Sequence, residues 1–160
     1  MANWTNSRLL VSGSRDAVMA FAAATHDPAK RVFRGDMLVG EASPLRRGPL
    51  ERPGAGVYRK RYLFQVRNDS GLEHFGRVSR RYRRLSFVLV FADPNSDSYG
   101  SARIARGEMQ EYDLSSRQIR AVWRKHGVTD EDDDDWRFWE ASWELMDLAE
   151  AHWTLRSHDG

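Results

Sequence analysis

The chain contains no cysteine, which removes disulfides, thiolate nucleophiles and cysteine metal sites at one stroke. It also lacks any apolar run near the roughly 18 residues that a membrane span requires. Its opening residues do not form a basic n-region followed by a continuous apolar stretch, because Asn3, Asn6, Ser7 and Arg8 interrupt it. These absences lead to the expectation of a cytoplasmic protein with no membrane partner. Catalytic patterns are equally scarce. The five histidines, at 26, 74, 126, 152 and 158, do not fall at metal-ligand spacing, and no HExxH-type pattern exists. Gly54-Ala55-Gly56 lacks the third glycine of a dinucleotide fingerprint and precedes a strand, the wrong order. Neither "GSR" nor "SGL" has the context of a nucleophile elbow. The chain therefore reads as a non-enzyme, with no catalytic residue, metal site or cofactor expected.

What is present suffices for a folded domain. A hydrophobic fraction of 41% in 160 residues can build a core, and 30% charged residues is ordinary for a soluble surface. The formal charge of +2 conceals a strong asymmetry. Beyond position 129 there are eleven acidic residues against Arg137 and Arg156, a net of −9, while residues 1–129 hold 23 Lys/Arg against 12 Asp/Glu, a net of +11. A basic body with an acidic end points to nucleic acid, to an acidic partner, or to contact between the two ends.

Periodicity divides the chain. Arg8 to Ser12 alternates as a strand, with Leu9 and Val11 on one side, and Gly13 ends it. Ser14 is placed to cap a helix carrying Val18, Phe21, Ala22 and Thr25, which must close before Pro28. A short strand is expected around Met37 to Val39, and the Gly/Pro/Arg-rich stretch at about 40–57 reads as an inserted loop. Tyr58 to Arg67 then alternates, with Tyr62, Phe64 and Val66 on one face. Ser70 and Glu73 have capping-box spacing ahead of a helix whose apolar side is Leu72, Phe75, Val78, Ser79 and Tyr82. Leu85 to Ala92 is apolar on both faces and so reads as a central strand needing cover on each side. "SARIA" is its hairpin partner. Ser115 or Ser116 starts a helix that Gly127 ends, and about 18 residues from Trp136 form a last, tryptophan-rich helix. Strands followed by helices in this order define an α+β domain with a mixed or antiparallel sheet. The division expected is a basic domain over 1–128, with residues 129–160 forming an acidic segment and a helix packed on that same domain.

The segment "ANWTNSRLLVSG", with Asn3, Trp4 and Asn6 ahead of a first strand ending at Gly13, resembles the opening of the YubB-like family of phage and plasmid proteins. A second stretch, "YRRLSFVLVFADPNSDSYG", is similar to that family in its helix running into an apolar strand, then Phe91, Asp93, Tyr99 and Gly100. The two stretches span about a third of the chain. The resemblance implies a ferredoxin-like α+β domain, helices on one sheet face, encoded by mobile elements and without a known enzymatic role. The Gly/Pro/Arg stretch, the acidic run and the tryptophan-rich helix depart from the family pattern. Trp4 is expected as a core plug where the first strand enters the sheet.

Two groups of residues are candidates for binding. Arg77, Arg80, Arg81 and Arg84 recur at helical spacing with Arg83 beside them, suited to successive phosphates or to an acidic partner. Absence of aromatic residues from that stripe argues against base stacking. The run "TDEDDDDW" lacks the alternating ligands, glycine and distal glutamate of a calcium loop. In one reading Asp134 or Asp135 caps the helix that follows and the other carboxylates favour its positive end; in the other Asp132, Asp133, Asp134 and Asp135, with Glu140 and Glu144 on that helix, face a protein partner, the run mimicking phosphate charge. The last helix is so apolar that it must cover the second sheet face or offer an aromatic interface. The expectation is a non-enzymatic phage or plasmid accessory protein that binds a host protein or complex, in the manner of an anti-CRISPR or anti-restriction inhibitor. The alternative is a sequence-nonspecific nucleic-acid-binding protein using the arginine face.

Overall fold

A computed structural model of the protein describes residues 4–27, 32–33, 46–67, 71–93, 98–129 and 136–156. The elements are β1 (Trp4–Gly13), α1 (Arg15–Thr25), β2 (His26–Asp27), β3 (Val32–Phe33), β4 (Arg46–Gly54), β5 (Val57–Arg67), α2 (Leu72–Arg81), β6 (Ser86–Asp93), β7 (Ser98–Ala105), β8 (Glu108–Asp113), α3 (Ser116–His126) and α4 (Trp136–Arg156). The side chain of Trp4, the strand expected at Met37 to Val39, Ser70 and the acidic residues 132–135 lie outside the described residues. The fold is α+β. Six strands form one sheet in the order β4-β5-β1-β6-β7-β8, every neighbouring pair antiparallel, and β2 and β3 form a small separate ribbon.

Pleating sorts the side chains of β1 into two cores. Leu9 and Val11 join Tyr62, Phe64, Val66, Phe87 and Leu89 under α1 and α2. Leu10 turns the other way and joins Val90, Ala92 and Tyr99 under α3 and α4. Phe21 of α1 centres the first core, edge-on to Tyr82 at 5.1 Å and to Phe87 at 5.4 Å. The second core takes Ala141, Leu145, Met146 and Ala149 from α4 and Ile119 and Val122 from α3. Helices therefore cover both sheet faces: α1 and α2 share one, as expected, and α3 joins α4 on the other. A single buried aliphatic side chain contributes about 1.5–3 kcal/mol, so this second layer is a main source of stability. Trp153 ties it to the sheet, its indole N–H donating to the Ser101 hydroxyl at 2.8 Å, which in turn donates to the Ala149 carbonyl at 2.7 Å.

Local signals explain most boundaries. Ser14 accepts a hydrogen bond from the Ala17 N–H and so caps α1. Ser115, rather than Ser116, starts α3 through a reciprocal capping box with Gln118, and Gly127 ends it in the left-handed region at φ 68°. For α2 the N-cap is Gly71, at φ 85°, one residue past the Ser70 of the expected capping box, which lies outside the described residues, and Glu73 pairs forward with Arg77. The stretch expected as an inserted loop is largely strand. Over Arg46–Gly54 it pairs with β5, with register shifts between Arg47 and Leu50 and between Glu51 and Gly54. Pro49 and Pro53 fall within those two shifts, places where an edge strand accommodates residues without an N–H. The strand β8 has no counterpart in the sequence reading. Its two-residue turn from β7 has positive φ at both Arg106 (54°) and Gly107 (81°), the hairpin geometry that follows sheet twist.

Gly100 faces Phe91 on β6 and Asp113 on β8. A Cβ there would lie 2.7 Å from the Tyr112 carbonyl oxygen, 2.7 Å from Asp113 Oδ1 and 3.0 Å from the Phe91 ring. Because backbone sits on one side and a core ring on another, Gly100→Ala is expected to cost about 1–3 kcal/mol of stability by overpacking, read as a lower urea midpoint at unchanged slope. Gly54→Ala, with nothing within 4 Å of its Cβ, is the control that leaves the midpoint nearly unmoved.

Candidate functional site

The arginine face is only partly a helix face. Arg77, Arg80 and Arg81 project from α2, whereas Arg83 and Arg84 lie in the turn after the helix ends at Arg81. All five are exposed. Arg77 is paired with Glu73 at 3.0 Å across one helical turn, an exposed contact worth only tenths of a kcal/mol. Arg80 rests against the β7–β8 turn, where a Cβ on Gly107 would meet its Nε at 2.6 Å. The Ser79 hydroxyl accepts from the Gly107 N–H at 2.8 Å, clamping α2 to that hairpin. Exposed Arg106 is thereby added to the basic face.

Of the acidic candidates, Glu140 and Glu144 lie on the described part of α4. Glu140 is exposed. Glu144 accepts from Lys125 Nζ and contacts His126 Nε2 at 2.6 Å, latching α4 to the end of α3. Hydrogen bonds from Lys125 and His126 hold its carboxyl below the usual value of 4.5. That carboxylate is engaged within the molecule rather than offered to a partner.

An ionic cluster with no direct signal in the sequence lies beneath α4. Arg8, only 8% exposed, points from β1 to the second face, opposite in sense to Leu9. Its Nη1 donates to Asp147 Oδ1 at 2.8 Å and to Glu150 Oε1 at 3.2 Å. Arg61 on β5 donates to the same Glu150 carboxylate and also to Glu51. Glu51 takes a further bond from Arg59 at 2.9 Å. Burial raises the Glu51 pKa, but the bonds from Arg59 and Arg61 outweigh it and hold that carboxyl low. These partners lie up to 142 residues apart, so only alternation of charged with apolar residues in β1 and β5 hinted at them.

Beside that cluster lies a cleft of about 420 Å³, between α4 and the β4–β5–β1 side of the sheet. Trp139, Trp143 and Met146 form its helix wall, Asn6, Leu63 and Gln65 its floor, and Arg46 of β4 its far rim. Gln65 Nε2 donates to Asn6 Oδ1 at 2.7 Å across the floor. Trp139 and Trp143 are 43% and 44% exposed, and Trp136 is 64% exposed. At helical spacing 136, 139 and 143 share one stripe. The Arg8 guanidinium lies 5.9 Å from the Trp143 ring, joining cleft to cluster. Among the described residues no group of three or more His, Asp or Glu side chains is placed to hold a metal ion, and no helix is long and apolar enough to cross a membrane. What this surface offers chemically is adhesion: flat indoles, an amide pair and guanidinium groups.

No family model, curated protein or solved structure matches the chain.

Two outcomes test this electrostatic reading. Removing Arg8 strips two charge-assisted hydrogen bonds from the α4 interface, so Arg8→Ala is expected to cost about 1.5–3 kcal/mol, measured by denaturant unfolding. For Glu144 the folded pKa lies below the unfolded one, so its contribution is complete above about pH 4.5 and disappears as pH falls through the lowered value. A Glu144→Gln variant should therefore melt lower than wild type at neutral pH and converge on it in acid. Parallel curves throughout would contradict the latch.

Proposed function

We propose that the chain is a non-enzymatic accessory protein of a phage or plasmid that works by binding a host protein in the bacterial cytoplasm, with inhibition of a CRISPR or restriction complex as its concrete form. The observation that carries this reading is the stripe of Trp136, Trp139 and Trp143 on α4, exposed although the same helix buries its opposite side in the second core. Large exposed aromatics in a row are the usual anchors of protein interfaces. The mobile-element assignment rests on the similarity of Asn3, Trp4, Asn6 and Gly13 to the YubB-like opening. The path β1-α1-β4-β5-α2-β6, with strand order β4-β5-β1-β6 and both helices on one face, supports the ferredoxin-like reading of that part. On it β7, β8, α3 and α4 are additions.

A second reading is favoured by the arginine face. Arg77, Arg80, Arg81, Arg83, Arg84 and Arg106 form an exposed basic edge on the α2 side, suited to phosphate contacts without sequence readout.

Affinity capture from a host lysate separates the two. A tagged protein is expected to retain a defined partner at moderate salt, to lose it in Trp136→Ala/Trp143→Ala, and to keep it in Arg80→Glu/Arg81→Glu. Loss in the arginine variant alone, together with steeply salt-dependent binding to duplex DNA or RNA, would transfer the function to the second reading.

A further inference from the structure

The cleft beside α4 repeats, in open form, the chemistry by which α4 itself is attached to the sheet. Along the second sheet face, α4 docks by placing carboxylates on strand arginines: Asp147 and Glu150 on Arg8, and Glu150 on Arg61. Apolar side chains of the same helix, Met146 and Ala149, pack alongside those ion pairs. Arg46 is next in this row, paired with Leu63 across the β4–β5 ladder as Arg8 is across the β1–β5 ladder. It is exposed and has no carboxylate partner among the described residues. Facing it across the cleft are the half-exposed indoles of Trp139 and Trp143, over a floor that includes Leu63. One guanidinium with no carboxylate among the described residues thus stands opposite two aromatic faces that are only half covered.

We propose that this cleft is the docking site for a partner segment in which an Asp or Glu lies beside an aromatic or large aliphatic side chain, the carboxylate meeting Arg46 and the apolar group inserting against Trp139 and Trp143. The inference rests on the protein-binding reading above and adds to it the chemistry of the partner. The site takes an acidic segment because Arg46 meets no carboxylate among the described residues, while Arg8, Arg59 and Arg61 already have theirs. It takes an apolar group because an indole that is nearly half exposed in a concave wall gains most from being covered by one. A pairing of this kind also sets orientation, since guanidinium and carboxylate meet in a fixed planar geometry.

The test is selection of a random dodecapeptide library on the wild-type protein, with affinities of chosen peptides measured by tryptophan fluorescence. Peptides carrying Asp or Glu next to Trp, Phe, Leu or Met are expected, with binding that weakens as salt rises. Arg46→Glu should replace the acidic preference by Lys and Arg, Arg46→Ser should weaken the chosen peptides by about tenfold, and Trp139→Ala/Trp143→Ala should abolish selection. Arg46 is exposed on an edge strand, so both of its variants should keep the wild-type circular dichroism and melting temperature. No enrichment, a basic or charge-blind selection, or an acidic preference that survives Arg46→Glu would overturn the proposal. So would tighter binding of mixed-sequence single-stranded DNA that depends on the same two tryptophans. If a host protein is captured through Trp136 and Trp143 while the library shows no acidic preference, only the partner chemistry fails. If the library behaves as expected and no host protein is captured, only the host-binding reading fails.

Discussion

A strand that is apolar on both faces cannot end a domain; it obliges the chain to build on each side of it. In this protein β6 is such a strand, with Phe87 and Leu89 on one face and Val90 and Ala92 on the other, and β1 beside it adds Leu9 to the first face and Leu10 to the second. The helices α1 and α2 close the first face and nothing in them can reach the second. The second half of the chain is the answer to that constraint. The hairpin of β7 and β8 widens the sheet, and α3 and α4 then cover it, so that Leu145, Met146 and Val122 are buried where a two-layered domain would expose Leu10 and Val90. For this reason α4 is structural on one side whatever it does on the other.

The same packing explains why tryptophans are left outside. Once Ala141, Leu145 and Ala149 face the core, helical geometry leaves no choice about the remaining positions. Asp147 and Glu150 come down on Arg8 and Arg61, fixing the rotation of the helix about its axis as well as its position along it. Trp136, Trp139 and Trp143 then continue that stripe toward the helix N-terminus, where, among the described residues, no further strand arginine holds a carboxylate from α4. A buried ion cluster is seldom a strong source of stability in itself, yet here it specifies register. Shifting α4 by one residue would separate Glu150 from both of its guanidinium partners.

How much of this could be read from sequence depends on whether the signal was local. The helix α3 was legible because Ser115, Gln118 and Gly127 carry its start and stop within one short segment, and β6 was legible because double-sided apolarity has no other soluble explanation. The apolar side of α2 was correctly ordered, although its cap was not, since a glycine in the left-handed region replaced the expected serine. The strand β4 was hidden by Pro49 and Pro53, residues that argue against a strand unless bulges at an edge accommodate them. In β8, "EMQEYD" shows no apolar alternation because its two partly buried side chains face opposite ways, Met109 against the first core and Tyr112 against the second. The cluster around Arg8 was invisible for a different reason: it joins positions 8, 51, 61, 147 and 150, and no periodicity connects them. The arginine face survived in outline, with Arg83 and Arg84 moved from the helix into a turn.

The layering also bears on how the two charged surfaces can work. The arginine-bearing helix α2 packs on one face of the sheet and α4 on the other. Layers in such domains are spaced by about 10 Å, so the two helix axes stand roughly 20 Å apart with the sheet between them. That distance exceeds the screening length of about 8 Å at physiological salt, and the exposed guanidinium groups of α2 therefore contribute little to the potential in the cleft beside Trp143. On the binding proposed above, a partner at the tryptophan stripe would be selected by Arg46 and its neighbours, and a polyanion would be drawn to the α2 edge.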